Sequence, residues 1–182
     1  VQETIQIYLD ALDSNNLPDK REVAFYGGSF TGLAIDRQSS LIDAVIPWIN
    51  SGHIDSIRIS THSLLVDDIN ISFLKDNFVQ VVELGIQSTN NDVLNAVGRP
   101  CEFATVKDAV KSIRTRNLSL GLQLMPGLPK DDETTFLQSV KDVIGFRPDF
   151  VRIYPTLVIK NTNLFKMYSR GEYLPWSLDR ML

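Results

Sequence analysis

Short apolar runs recur along the chain at residues 22–27, 56–61, 81–87, 119–125 and 150–155, starting 34, 25, 38 and 31 residues apart. Each interval has room for one helix and two loops. The intervening segments carry helical spacing: Val106, Ala109, Val110 and Ile113 recur on one face, as do Phe136, Leu137, Val140, Val143 and Ile144. Asp36 and Asp131 stand where N-caps are expected, and Pro18 and Pro148 fall in turns leading to strands. The pattern predicts α-β-α-β-α-β-α-β-α-β. Such alternation implies a parallel sheet with right-handed crossovers, either a barrel or an open doubly wound sheet.

The strands themselves help to choose. Strands buried on both faces of a parallel sheet are almost wholly apolar. Here one parity carries Arg58 and Ser60, then Glu83, Gly85 and Gln87, then Gln123, then Arg152 and Tyr154. A polar, cavity-lining interior suits a wide or incomplete barrel better than one packed with layers of Val, Ile and Leu. A buried network, with Glu83 paired to Arg58 or Arg152 and serving fold specificity alone, accounts for the same pattern. Both readings stay open. The periodicity loosens after Pro155, so residues 1–156 are expected to form the partial barrel and 157–182 an extension of loop and short helices.

At 182 residues and 43% hydrophobic content, one substantial core is the default. The formal net charge of −4 comes without blocks of like charge, so nothing electrostatic marks a nucleic-acid surface. No apolar run approaches the roughly 20 residues that span a bilayer, and the start is no signal peptide; a soluble, cytoplasmic protein without membrane contact is expected. One cysteine, Cys101, excludes an internal disulfide and any metal site built from several thiolates of this chain.

Candidate chemistry gathers at the carboxyl ends of the strands, where loops and helix N-termini converge in parallel α/β folds. Gly27 and Gly28 leave the first strand, and adjacent glycines let a ligand approach the backbone closely. Glu83, Gln87 and Ser88 end the third strand, with Arg99 one short helix later. Met125, Pro126, Gly127, Leu128 and Pro129 follow the fourth. Each has a plainer reading: a glycine turn, a rigid proline turn, a solvated arginine. His62 follows the second strand with no acidic partner in sequence, and His53 reads as a turn residue.

Taken together, VAFYGGSFTGL, IRISTH, VVELGIQS, LGLQLMPGLP and FVRIYPTLVIKNTNLFKMYSRGEYLPWSLD resemble the radical S-adenosylmethionine domain of the Elongator catalytic subunit and its bacterial relatives. A weaker resemblance extends to oxygen-independent coproporphyrinogen oxidases. The resemblance implies five strands that are the second to sixth of a six-stranded barrel, with an N-terminal CxxxCxxC loop outside the chain. It implies S-adenosylmethionine as cofactor, a 4Fe-4S cluster that this chain cannot bind, and a 5′-deoxyadenosyl radical. Position by position it assigns Gly27, Gly28 and Ser29 to the amino group, Ser60 to the cofactor lining, Gln87 and Ser88 to the ribose and Arg99 to the methionyl carboxylate. Met125 and Gly127 fall near the adenine, Ile153 and Tyr154 beside the base, and Glu83 and Gln123 in the lumen.

Two departures bear on the substrate. The family's STRPD reads Ser60-Thr61-His62-Ser63-Leu64 here, and its RGHT reads Arg99-Pro100-Cys101-Glu102. The expected function is the core of a radical enzyme acting on tRNA wobble uridine, the chain alone being inactive. A non-catalytic adenosyl-binding or interaction module is the alternative. A sheet edge left open by the missing strand would favour self-association.

Overall fold

The computed structural model describes residues 1–12 and 18–181. Leu182, where the expected extension ends, lies outside the described residues. The elements run α1 (Gln2–Asp10), β1 (Glu22–Phe25), α2 (Ile35–Asp43), α3 (Ile46–Asn50), β2 (Ser56–Thr61), α4 (Asp68–Asp76), β3 (Val79–Gln87), α5 (Asn91–Ala96), α6 (Phe103–Thr115), β4 (Ser119–Leu124), α7 (Glu133–Gly145), β5 (Phe150–Ile153), α8 (Asn163–Ser169) and α9 (Leu178–Met181). The five strands form one sheet in chain order, with parallel pairing of β1 to β2, β2 to β3 and β4 to β5. The expected α/β alternation is therefore present.

Side-chain parity sorts the strands as the sequence implies. Ile57 and Ile59 of β2, Val82 and Leu84 of β3, and Leu120, Leu122 and Leu124 of β4 are all 0% exposed. The opposite parity holds Arg58, Ser60 and Gln123 at intermediate exposure and Glu83 fully buried. At β5 the rule weakens, because Val151 and Ile153 stay exposed.

Three local expectations need correction. β3 begins at Val79, two residues before the expected start, because a register shift between Ile57 and Arg58 loops out the exposed Gln80. Asp36 lies in the first turn of α2, whose N-cap is Ala34. α7 is capped by Asp132 rather than Asp131: the Asp132 carboxylate accepts from the Thr135 amide at 2.8 Å, and the Thr135 hydroxyl accepts from the Asp132 amide at 2.9 Å. This reciprocal box satisfies two otherwise unpaired helix-end donors.

Contacts divide the chain into two units, Val1–Leu84 with Asp108–Leu120, and Gly85–Lys107 with Gly121–Leu182. In the first unit Ile57 and Ile59 of β2, with Ile42, Val45, Ile71, Leu74 and Ile113 of the helices and loops, are all fully buried. Its polar end is a cluster around Glu22, which accepts from Lys20 at 2.8 Å, Ser56 Oγ at 2.9 Å and Arg58 at 2.7 Å. In the second unit Leu122, Leu124, Val93, Leu94 and Val143 are buried. No helix among the described residues is long and apolar enough to cross a membrane.

Candidate functional site

In the first unit, β1 ends at Phe25 and the chain turns through Gly27 at φ +104°, a backbone conformation that favours glycine. Nothing lies within 4 Å of where a Cβ on Gly27 or Gly28 would sit, so the turn leaves open space over its backbone. A cavity of 320 Å³ adjoins it, lined by Phe25, Tyr26, Gly27, Gly28, Ser29, Phe30, Leu33 and Leu41. Ser29 precedes a single 3₁₀ turn at Phe30–Gly32. The turn is anchored by the Phe25–Phe30 ring stack at 5.4 Å and by a buried hydrogen bond between Thr31 and Thr61. Beside it Ser60 pairs in register with Glu83, whose carboxylate accepts from the Tyr26 hydroxyl at 3.2 Å. Gly27, Gly28, Ser29 and Ser60 thus lie at the carboxyl ends of β1 and β2, while Glu83, midway along β3, meets them through its register with Ser60 and its bond from Tyr26. Tyr26, absent from the expected set, joins them.

The second unit holds the remaining candidates. Gln87 closes β3 at φ +70°, a left-handed conformation that costs a non-glycine residue on the order of 1 kcal/mol or more. Its side chain accepts from Gln123 Nε2 at 3.0 Å and its carbonyl from the Met125 amide at 2.9 Å, so β3 and the fourth-strand loop are tied at this point. Ser88 is 2% exposed and faces Ser139 of α7 at 3.3 Å. Ile153 and Tyr154 are exposed at the end of β5, with the Arg152 guanidinium 4.6 Å from the Tyr154 ring centre.

Arg99 owes its placement to a helix ending. Gly98, at φ +66°, donates its amide to Asn95 O at 3.1 Å, and the Arg99 amide donates to Leu94 O at 2.9 Å. These bonds form a Schellman motif terminating α5. The motif turns Arg99 back, and its Nη2 donates to Gly85 O at 3.4 Å. Nε is buried and has no hydrogen-bond partner among the described residues. Burial pulls the guanidinium pKa below its ordinary value, although the group remains charged at any physiological pH. The surface-arginine reading is thereby set aside. Gly98→Ala is expected to cost about 1–2 kcal/mol through the left-handed backbone alone, since nothing lies within 4 Å of the added Cβ; chemical denaturation measures it.

Other candidates resolve more plainly. His62 Nδ1 accepts from the Leu64 amide at 3.1 Å and so caps a short 3₁₀ turn. His53 meets Ser51 Oγ at 2.7 Å and the Trp48 ring edge-on at 6.0 Å, a turn residue as expected. Burial raises the Cys101 thiol above its ordinary pKa despite nearby Arg99, which disfavours the thiolate form.

These features define an α/β protein of the partial (β/α) TIM-barrel type, with polar and glycine positions at the carboxyl ends of its strands. The model described as the Radical SAM superfamily matches residues 2–143, and that of the Radical_SAM C-terminal domain matches residues 148–182. The chain belongs to the Radical SAM superfamily. It is 38% identical over 101 residues to a tRNA uridine(34) acetyltransferase of Methanocaldococcus jannaschii, covering 52% of this chain and 18% of that protein. The archaeal Elp3 of Methanocaldococcus infernus, solved with an N-terminal deletion, superimposes with a TM-score of 0.79 at 25% identity over 96% of this chain and 45% of that one. Coproporphyrinogen III oxidase of Escherichia coli shares the fold, with a TM-score of 0.71 at 18% identity over 99% of this chain and 43% of that one. The chain spans less than half the length of each.

The residues present fit the family's two cofactors unequally. In the second unit, a guanidinium donor buried without a partner among the described residues suits a carboxylate such as that of S-adenosylmethionine; in the first, the glycine turn leaves its backbone open to a small ligand. A thiolate-held cluster needs several cysteines, and the chain has one.

Proposed function

We propose that the chain is the S-adenosylmethionine-binding core of a radical enzyme, with tRNA wobble uridine as the substrate class of the parent protein. The observation that carries this reading is the Arg99 guanidinium. It is fixed by a helix-ending motif beside the carboxyl end of β3, and its Nε is buried with no hydrogen-bond partner among the described residues. A buried donor left unpaired is costly, and a planar guanidinium grips a carboxylate bidentately; the methionyl carboxylate is such an acceptor. Within the same unit Gln87 and Ser88 serve the ribose side, Gln123 the lumen, Met125 and Gly127 the adenine, and Ile153 and Tyr154 the base edge. In the first unit Gly27, Gly28 and Ser29 offer backbone to the amino group, and Ser60 and Glu83 line the cofactor side.

When bound, S-adenosylmethionine supplies a sulfonium whose reductive cleavage yields a carbon radical. The residues named here bind and orient it, and no step is assigned to a cluster that one cysteine cannot hold. The tRNA assignment is supported by the similarity to the tRNA uridine(34) acetyltransferase of Methanocaldococcus jannaschii. Calorimetric titration with S-adenosylhomocysteine tests the binding reading. Arg99→Ala is expected to weaken binding by about tenfold or more, the loss of one charge-assisted contact, while Arg99→Lys recovers part of it. Equal affinity of wild type and Arg99→Ala would remove Arg99 from the site.

A further inference from the structure

Three side chains of the second unit converge on one glycine. Gly127, at φ +79°, donates its amide to Asp131 Oδ2 at 3.0 Å, and its carbonyl accepts from the Tyr173 hydroxyl at 2.6 Å. Its third side is closed by Trp176: a Cβ added to Gly127 would lie 3.1 to 3.4 Å from the indole ring atoms, closer than most real contacts. Both polar backbone groups of this residue are therefore engaged, and its Cα lies beneath an aromatic ring.

Each clamping group is itself held. Asp131 Oδ1 accepts from Thr135 Oγ1 at 2.6 Å, at the start of α7. Trp176 is packed edge-on against Phe136, with ring centres 6.5 Å apart. The Arg180 guanidinium stacks 4.2 Å from the Trp176 ring, and its Nε donates to Glu133 at 2.9 Å. Tyr173 is 8% exposed, and burial raises its hydroxyl pKa, with the Asp131 charge acting in the same direction. The hydroxyl therefore keeps its proton, and the donor, throughout the neutral range. Pro126 O accepts from the Thr156 amide at 3.3 Å, so the residue before Gly127 is also tied to the segment leaving β5.

This is more attachment than a βα turn needs to reverse the chain. Alternate turn geometries would break a buried hydrogen bond or collide with the indole, so a single backbone conformation is selected. We infer that Tyr173 and Trp176 are positioning residues, by which the C-terminal extension holds the Met125–Gly127 turn in the one geometry that receives the adenine of the cofactor. The inference rests on the adenosyl-binding reading above. It assigns to the extension a role in cofactor affinity rather than in substrate choice.

Two ligands and four variants of the full 182-residue chain test it. S-Adenosylhomocysteine carries adenine and carboxylate; 5′-methylthioadenosine carries adenine without the carboxylate. Tyr173→Phe is expected to weaken both by about fivefold, as for loss of one neutral hydrogen bond, whereas Arg99→Ala weakens the first ligand alone. Trp176→Phe, which keeps a ring over Gly127, is expected to retain more affinity than Trp176→Ala, and it remains informative should Tyr173→Phe fail to fold. A merely structural role would lower the melting temperature of folded Tyr173→Phe and leave both affinities unchanged, which overturns the inference. Equal affinities in Trp176→Phe and wild type with loss in neither ligand for Trp176→Ala would overturn it too. Wild type binding neither ligand would overturn the functional reading, and this inference with it.

Discussion

Leu122→Ala is expected to lower the stability of the chain by about 2–5 kcal/mol, read as a lower urea midpoint at unchanged slope. The residue sits mid-strand in β4 with 0% exposure. Truncation loses the transfer energy of the removed carbons and leaves a cavity that close-packed neighbours fill only in part. Gln123→Ala, one residue further on, is the control. Its side chain lies on the opposite face of the strand and makes one hydrogen bond, to Gln87 at 3.0 Å. Its stability cost is expected near 1 kcal/mol, roughly that of one neutral hydrogen bond. If the two substitutions cost the same, the division of each strand into a core face and a ligand face fails.

The second large effect is electrostatic and pH-dependent. Glu22→Gln is expected to cost about 1.5–3 kcal/mol near neutral pH, the range for buried hydrogen bonds to charged groups. Glu22 is 15% exposed at its side chain and pairs with Arg58 at 2.7 Å. Burial alone would raise its pKa, but hydrogen bonds from Lys20, Arg58 and Ser56 together outweigh it, and the folded-state value falls below the ordinary one. The folded state therefore binds its proton less readily than the unfolded chain does. The contribution is fully present above the unfolded carboxylate value and disappears as pH falls through the lower, folded one. Wild type should lose stability across that acidic window, and Glu22→Gln should lose less there. Parallel acid profiles for the two proteins would contradict the assignment.

Much of the architecture is legible in the order of residues alone. The β2 bounds expected from apolar composition are those observed, and Arg58, Ser60 and Gln123 fall on the face opposite the leucines and isoleucines, as period-two alternation requires. Where expectation and fold part, a local competitor is at work. Adjacent aspartates 131 and 132 are equally good caps by residue type; Asp132 takes the box with Thr135, and Asp131 turns to the Gly127 amide. β3 begins early because a bulge at Gln80 breaks the alternation that marks a strand boundary. The two explanations of Glu83 are compatible with one geometry, since the carboxylate is fully buried yet hydrogen-bonded to Tyr26 at the rim of the glycine turn.

The candidate site divides the same way. Gly27, Gly28, Gln87 and Gly127 are recognisable as residue types at or just past strand ends and Arg99 as a cation one short helix later, and the family motifs name all of them. Gly98 carries a signal that the motifs do not, since a glycine just after a helical stretch marks a Schellman ending, and that ending directs Arg99. Tyr173 and Trp176 belong to a diagnostic segment that gives them no role by itself.

By itself the sequence determined the alternation of elements, which strand face is apolar, and membership of the Radical SAM superfamily, because these depend on periodicity and on short motifs read within one element or turn. Tertiary structure alone decided that the Arg99 guanidinium returns to Gly85 and that Tyr173 reaches back 46 residues to the Gly127 carbonyl. Such contacts depend on where the chain reverses and which helix face is buried. No local pattern encodes a distance between segments that far apart.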